Sequence, residues 1–176
     1  MTEEQVVLLD TNDEACGTME KLQAHREGRL HRAFSVLILN EKGEMLIHQR
    51  AFTKYHSGGK WTNACCGHPR PGEDTQQAAE RRLMEEMGFT VPLKYLYQFT
   101  YKAVLDGGLT EYELDHVFMG VYNDAPQPNP DEVNDWRYVP IEQIIKGIKA
   151  VPENYSIWFR YIMDAFPTHF KPRMIY

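Results

Sequence analysis

The segment DTQQAAERRLMEEMG, residues 74–88, most constrains what this chain can fold into. Asp74 is placed to cap the N-terminus of a helix, Gln77 occupies the capping-box position, and Gly88 ends it. Apolar residues recur every four positions at Ala79, Leu83 and Met87. The segment therefore predicts a helix with one buried face and one charged face.

Residues in and around this helix follow the spacing G-x5-E-x7-R-x-U-x-E-E-x-G-U, where U is apolar: Gly67, Glu73, Arg81, Leu83, Glu85, Glu86, Gly88 and Phe89. The spacing resembles the Nudix box, which implies a loop-helix-loop that holds divalent metals on a diphosphate. Glutamate oxygens are hard ligands that suit Mg²⁺. The alternative is an amphipathic surface helix with ion pairs from Arg81 to Glu85 and from Arg82 to Glu86.

Arg82 departs from the hydrolase form of this box, in which a Glu usually follows the first Arg. A cation there would repel a metal ion and remove a hydrolytic carboxylate. We therefore expect the fold to persist without the hydrolase chemistry.

Alternating apolar runs flank the helix. Strands are predicted at residues 4–10, 32–39, 45–50, 95–104, 109–122 and 134–140, with turns at 40–44 and 105–108 closing two hairpins. Helices are predicted at 18–25, capped by Thr18, and at 140–149 and 154–166. The pattern favours an α+β fold, a Nudix-like α/β/α sandwich with mixed or antiparallel sheets, over a parallel doubly wound fold.

The length of 176 residues suits a single domain over 1–176, with an N-terminal strand and helix extension at 1–30 and C-terminal helices at 140–166. Lys and Arg total 19 against 25 Asp and Glu, a formal net charge of -6, which argues against nucleic-acid and anionic-membrane partners. No apolar run approaches the ~18 residues of a membrane span. The acidic N-terminal residues do not resemble a secretory signal, so we expect a cytoplasmic protein, as a monomer or weak dimer.

Several histidines and glutamates outside the helix are candidate metal ligands. His25 and His31 converge only if the chain bends between them, which Gly28 permits. Glu111 and Glu113 project from one face of a strand, and His68 lies close to Cys66. This mixed donor set suits Mn²⁺, Zn²⁺ or Mg²⁺, although a surface histidine and a solvated strand face are the plainer interpretations.

The three cysteines, Cys16, Cys65 and Cys66, cannot all pair with one another. We expect reduced thiols, which leaves one available for chemistry.

Three segments, RLHRAFSV, WTNACCGHP and TEYELDHVF, together resemble the type 1 isopentenyl-diphosphate delta-isomerase family. The likeness runs from Thr18 to Trp158 and includes the gaps between the segments. It implies an isomerase of isoprenoid biosynthesis that interconverts isopentenyl and dimethylallyl diphosphate. The reaction adds a proton at one end of an allylic unit and removes one at the other.

The resemblance also implies roles for individual residues. Cys66 and Glu113 match the catalytic pair, and Tyr101 matches a tyrosine that assists at the alkene. The metal ligands of the family match His25, His31, His68, Glu111 and Glu113. Glu86 and the backbone carbonyl of Cys66 match the groups that hold Mg²⁺ on the diphosphate in the family. The basic residues of the family that contact the diphosphate match Lys21, Arg50, Lys54 and Arg82.

A tertiary carbocation requires a dry pocket with π faces. Trp158 matches the pocket tryptophan of the family and would supply a cation–π contact, and Trp61 could line the same region. Which of Cys66 and Glu113 is the acid and which the base stays open. The alternative functions are a Nudix pyrophosphohydrolase of a small diphosphate and a catalytically silent binding module.

Overall fold

The computed structural model describes residues 3–171 of the chain. Its strands are β1 (Gln5–Leu9), β2 (Ala15–Glu20), β3 (His31–Leu39), β4 (Glu44–Arg50), β5 (Trp61–Thr62), β6 (Cys65–Gly67), β7 (Lys94–Val104), β8 (Thr110–Val121) and β9 (Val133–Pro140). Its α-helices are α1 (Lys21–Glu27), α2 (Thr75–Met87), α3 (Ile141–Ala150) and α4 (Ile157–His169). The domain predicted over 1–176 includes residues 1–2 and 172–176, which lie outside the described residues.

The sheet is built around a parallel pair of strands, β3 and β8. Their register runs from His31 opposite Glu113 to Leu39 opposite Val121. Strand β7 pairs antiparallel with β8, β9 with β4, β6 with β3, and β2 with β1. The result is a mixed sheet, as the sequence predicted.

Helices cover both faces of the sheet because alternate residues of β3 point to opposite sides. Phe34, Val36 and Ile38 pack with the apolar face of α2. Leu37 and Leu39 pack on the other face with residues of α3 and α4. The predicted α/β/α sandwich is confirmed.

Both predicted ends of α2 are confirmed. The Asp74 carboxylate accepts a hydrogen bond from the backbone N–H of Gln77 at 3.0 Å. Gly88 ends the helix in the left-handed region at φ 76°, and a Cβ there would lie 2.3 Å from the carbonyl oxygen of Gln127. Only glycine fits this position without displacing the neighbouring loop.

Two local predictions were wrong. Thr18 does not cap α1, because it lies within β2 opposite Val7; the carboxylate of Glu20 instead accepts from the backbone N–H groups of Leu22 and Gln23, both at 2.8 Å. The hairpin predicted from β3 and β4 is confirmed only at its turn. The two strands pair only at Leu39 and Met45, because β3 pairs along its length with β8 and β4 with β9.

Within residues 3–171, each helix is too short or too polar to serve as a transmembrane span.

His48, on β4, has a buried imidazole, and protonation of this imidazole should oppose folding. Burial, helped by the charge of Arg50, lowers its pKa from 6.5 to about 3. Between these two pH values His48 stays unprotonated in the folded chain but binds a proton in the unfolded chain. The free energy of unfolding therefore falls as the pH drops below about 6.5.

From pH 7 to pH 5, the unfolding free energy of the original chain should fall by about 2 kcal/mol more than that of His48→Gln, which has no imidazole at this position. Urea denaturation at both pH values measures the difference. His169→Gln, which removes an exposed imidazole of α4, is the control. An equal pH dependence in His48→Gln and the original chain would contradict the prediction.

Candidate active site

One cavity brings together most of the residues singled out from the sequence. It is lined by side chains of β3, β6, β7 and β8, of α1, α2 and α4, and of the segment between β4 and β5. Predicted site residues on its wall are Lys21, Arg50, Lys54, Cys66, His68, Arg82, Glu86, Tyr101, Glu111, Glu113 and Trp158.

His25 and His31 meet because the chain reverses at Gly28, which has φ 63° and ends α1. Their ring centroids lie 5.1 Å apart, so the predicted bend is present. The Nδ1 of His25 bonds the carbonyl of Lys21 at 2.7 Å, and that of His31 bonds the carbonyl of Arg29 at 2.8 Å. Because the backbone holds Nδ1, each ring turns Nε2 toward the cluster, where it can donate to a carboxylate when protonated or bind a metal ion when not.

The two glutamates of β8 meet these rings from the neighbouring strand. Glu113 Oε1 lies 3.2 Å from His31 Nε2 and 2.9 Å from His68 Nε2. Glu111 Oε1 lies 3.9 Å from His25 Nε2. All five side chains converge, and four of them, His25, His31, His68 and Glu113, have ligand atoms within 4.8 Å of one another.

Unpartnered buried atoms test whether this cluster suits a cation. His25 Nε2 and Glu111 Oε2 are buried and find no hydrogen-bond partner among the described residues. Unpaired buried polar atoms cost free energy, which a divalent cation would repay by binding both. The donor set is nitrogen and oxygen, so the residues can hold a divalent metal ion.

The carboxyl groups of the cluster have opposite pKa shifts. Burial, with the charge of Glu113, raises the pKa of Glu111 to about 7. Burial also acts to raise the pKa of Glu113, but hydrogen bonds from His31 and His68 outweigh it and hold that pKa well below the usual range. Glu113 is therefore the ionised carboxylate of the pair.

The vicinal cysteines point to opposite faces of the sheet. Cys65 packs with the core beneath α2, whereas Cys66 lines the cavity on the side of α4. Burial and the nearby charge of Glu86 raise the pKa of the Cys66 thiol, so it stays protonated at neutral pH. Across the cavity, Tyr101 donates a hydrogen bond to Glu113 Oε2 at 2.9 Å.

The predicted diphosphate-binding bases sit at the cavity wall, each close to a carboxylate or a ring. Lys21 pairs with Glu4, and Lys54 Nζ lies 2.7 Å from Glu132 Oε2. The guanidinium of Arg50 lies 5.0 Å from the centroid of the Trp158 ring.

Arg82 forms an ion pair with Glu86 and lies 2.7 Å from Glu85 Oε2. Burial disfavours its charge, but Glu86 together with Glu85 and Glu132 outweighs that effect and raises the pKa of Arg82. The ion pairs of the surface-helix interpretation, Arg81 to Glu85 and Arg82 to Glu86, are both present. They do not exclude a metal role, because Glu86 is buried and lines the cavity.

The two tryptophans take different positions. Trp158, on α4, is 3% exposed and lines the cavity. Trp61 does not line it; its ring lies under the guanidinium of Arg137 at 3.9 Å and packs against the core below. The expectation that Trp61 could line the same region is wrong, because the short β5 turns its ring away.

Sequence reasoning missed several residues that line the cavity. These are Glu4, Ser35, Tyr55, His56 and Glu132. Ser35 stands opposite Cys66 in the β3–β6 ladder, and its hydroxyl donates to Asp115 at 2.7 Å. The odd-numbered alternation of β3 could have placed Ser35 on the face of His31. No spacing signal pointed to Glu4 or Glu132.

The fold and site together define a Nudix-fold protein with a buried cluster of histidines and glutamates that could hold a divalent metal ion. The NUDIX domain family matches residues 29–161. Solved structures with this fold include a Deinococcus radiodurans protein (TM-score 0.72, 20% identity, covering 84% of this chain and 90% of that one). Another is a MutT protein from Methanosarcina mazei (TM-score 0.66, 23% identity, covering 79% and 94%).

Curated relatives narrow the assignment. The isopentenyl-diphosphate delta-isomerase of Pectobacterium atrosepticum is 48% identical over 167 residues, covering 95% of this chain and 93% of its own. That of Serratia proteamaculans is 46% identical over 161 residues, covering 92% and 90%. The chain belongs to the isopentenyl-diphosphate delta-isomerase family within the Nudix superfamily.

Metal binding should stabilise the folded chain, because the cluster is assembled only by folding. Mn²⁺ at about 100 times its Kd should add about 2.7 kcal/mol, or roughly 5–10 °C in Tm. We expect His31→Gln to lose most of this shift, measured by thermal unfolding with and without Mn²⁺ after EDTA treatment.

His116→Gln is the matched control, because His116 lies on the same strand as Glu113 but on the opposite face. It should keep the full shift. An unchanged shift in His31→Gln would contradict the metal assignment.

Proposed function

We propose that this protein interconverts isopentenyl and dimethylallyl diphosphate at the cavity described above. The observation that carries the proposal is that Cys66 and Glu113 line one cavity from different strands and start from opposite protonation states. A thiol that carries its proton and a carboxylate that has lost one are what an addition and a removal of protons require. The sequence resemblance and the named relatives point to the same reaction.

The reaction balances within the substrate. A proton adds to the terminal carbon of the double bond, the tertiary carbon becomes a cation, and the carbon on its far side then loses a proton. The protein gains one proton and gives one, so neither a redox partner nor a water molecule is consumed.

His25, His31, His68, Glu111 and Glu113 are the proposed ligands of one divalent ion, Mn²⁺, Zn²⁺ or Mg²⁺. When bound, the ion supplies positive charge that offsets the two buried carboxylates. The backbone carbonyls of Lys21 and Arg29 orient two of the imidazoles. Tyr101, through its hydrogen bond to Glu113, holds that carboxylate toward the cavity.

The diphosphate is proposed to bind at the basic wall of the cavity. Lys21, Arg50, Lys54 and Arg82 are the proposed contacts, and Glu86 with the carbonyl of Cys66 would hold Mg²⁺ on the phosphates. Because Lys21, Lys54 and Arg82 already pair with carboxylates, the diphosphate must exchange partners with them. This requirement favours a substrate that carries its own Mg²⁺, which offers the carboxylates a new cation.

Trp158 is proposed to stabilise the carbocation. Its ring is buried and lines the cavity, and an aromatic face attracts a desolvated cation by about 2 kcal/mol or more. The proposed partner is a small diphosphate. The cytoplasmic location and the monomeric or weakly dimeric state stay predictions.

Deuterium incorporation tests the reaction directly. Incubation with isopentenyl diphosphate and Mg²⁺ in D₂O should yield dimethylallyl diphosphate labelled at its methyl groups, because the added proton comes from an exchangeable group. Proton NMR detects the labelling of the methyl groups, and phosphorus NMR detects the diphosphate and any phosphate that is released. Release of inorganic phosphate or pyrophosphate, with no labelled product, would favour the hydrolase instead.

Removal of the thiol should abolish the isomerisation. Cys66→Ala should lower kcat by about 10²-fold or more, as loss of a proton-transfer group does. Cys65→Ala is the matched control, since it removes the neighbouring sulfur on the opposite face of the sheet. Circular dichroism confirms that both variants fold, and substantial activity in Cys66→Ala would refute the assigned role.

Glu113→Gln should also remove nearly all activity, because an amide cannot accept the proton. Glu142→Gln, on the exposed face of α3, is the control and should remain active. Near-normal turnover by Glu113→Gln, measured by the same NMR assay, would exclude Glu113 as a proton-transfer group.

A further inference from the structure

The ring of Tyr101, whose hydroxyl bonds Glu113, packs against two other aromatic rings. Phe99 lies on the same face of β7, and the centroids of the two rings are 5.5 Å apart with their planes inclined at 28°. Tyr161 reaches the ring from α4, with centroids 5.6 Å apart and planes inclined at 41°. Tyr161 does not line the cavity, so an effect of its ring on the reaction must pass through Tyr101.

The neighbours of Tyr101 within the sheet leave one side of its ring open. Glu113 stands opposite Tyr101 in the β7–β8 ladder and accepts the hydrogen bond from its hydroxyl at 2.9 Å. Along β7, Phe99 lies on one side, but the next residue on the same face is Ala103, whose methyl group offers little contact. The side toward the helix layer is occupied by Tyr161. The ring is therefore confined by Phe99 along the strand and by Tyr161 above the sheet.

One turn of α4 contributes both to the cavity and to this aromatic packing. Trp158 and Tyr161 are three residues apart, so their side chains project from neighbouring parts of the helix surface. Trp158 is 3% exposed and lines the cavity, whereas Tyr161 is 43% exposed and lies on the solvent side of Tyr101. The hydroxyl of Tyr97 donates to the carbonyl of Ile162 at 2.9 Å, which anchors this turn of α4 on β7.

Loss of the Tyr161 ring would leave Tyr101 room to turn. A tyrosine side chain has three staggered χ1 positions, and the surrounding packing selects among them. If the ring turned into the space left by Tyr161, its hydroxyl would leave Glu113 and bind water instead. The Glu113 carboxylate would then lose the hydrogen bond that holds it toward the cavity.

We propose that Tyr161 is a positioning residue of the isomerisation. Its ring holds Tyr101 against Phe99 and so keeps the Tyr101 hydroxyl on Glu113. The inference rests on the proposed function and deepens it. Because Tyr161 lies outside the cavity, its removal should change the turnover and leave the binding of the diphosphate unchanged.

Steady-state kinetics with isopentenyl diphosphate test the proposal. We expect Tyr161→Ala to lower kcat by about three- to tenfold, the factor that corresponds to one aromatic contact, and to change KM by less than about twofold. Tyr161→Phe keeps the ring and should restore the original kcat. Tyr95→Ala is the matched control, because it removes an exposed tyrosine of β7 that contacts Phe118 instead of Tyr101.

A double-mutant cycle tests whether Tyr161 acts through the Tyr101 hydroxyl. In a Tyr101→Phe background, the addition of Tyr161→Ala should leave kcat unchanged within about twofold, because the hydroxyl that Tyr161 positions is already absent. Equal fold losses of kcat in both backgrounds would mean that Tyr161 only stabilises the packing of α4, and the proposal would be overturned.

NMR of the substrate-free protein gives a measurement that does not depend on turnover. In protein labelled with ¹³C at the Cζ of tyrosine, the Tyr101 signal, assigned by its loss in Tyr101→Phe, responds to the hydrogen bond of the hydroxyl. We expect this signal to move toward that of a solvent-exposed tyrosine in Tyr161→Ala and to stay in place in Tyr161→Phe. An unmoved Tyr101 signal in Tyr161→Ala would overturn the proposal even if kcat fell.

Circular dichroism checks that the variants fold. Tyr161→Leu, which keeps an apolar side chain on α4 but removes the ring, replaces Tyr161→Ala if that variant does not fold. If the deuterium assay shows no isomerisation, the proposed function fails, and the NMR measurement still decides whether Tyr161 holds Tyr101 on Glu113.

Discussion

The parallel pairing of β3 and β8 is the constraint on which the site depends. It places His31 directly opposite Glu113, 82 residues further along the chain. Because side chains alternate along a strand, this register sends Glu111 and Glu113 to the face covered by α4. A slip of one residue would turn both carboxylates toward α2 and leave the histidines without partners.

The same alternation separates the chemistry from the core. Along the α4 face of β8, Glu111, Glu113 and Asp115 give way to Val117 and Met119, which pack with the helix. One end of the strand is therefore a polar cavity wall and the other end an apolar support. The support holds the polar end at fixed spacing, which a metal centre requires.

Charge in the cavity is balanced locally rather than by the chain as a whole. The formal net charge is -6, yet the cavity presents several bases to an anionic substrate. Glu4 and Glu132 neutralise Lys21 and Lys54 in the absence of substrate. The lysines can therefore stay charged in a low-dielectric region, because each is paired with a carboxylate. In the proposed reaction, a diphosphate with its Mg²⁺ replaces these carboxylates.

The sequence predictions were accurate where the interactions join residues close in the chain, and they failed where the interactions join distant segments. The α2 helix and the β7–β8 hairpin were predicted well, since their capping residues, turns and apolar periods are local. The Thr18 cap and the full β3–β4 hairpin were wrong because the pairing of β2 with β1 and of β3 with β8 overrode the local signals. From the residues, the convergence of His25 and His31 depended on a bend that Gly28 permits, and this local bend is present.

By itself the sequence determined the α2 helix and the α+β class, because these depend on short segments with their own spacing, and its resemblance to the isomerase family pointed to most side chains of the cavity. Only the tertiary structure decided that Cys65 and Cys66 point to opposite faces of the sheet, and that Glu4, Glu132 and His56 line the cavity. Those placements depend on which strands pair and in which register. Such contacts form between distant segments, where the free energy of packing the whole core, rather than local backbone preference, selects the arrangement.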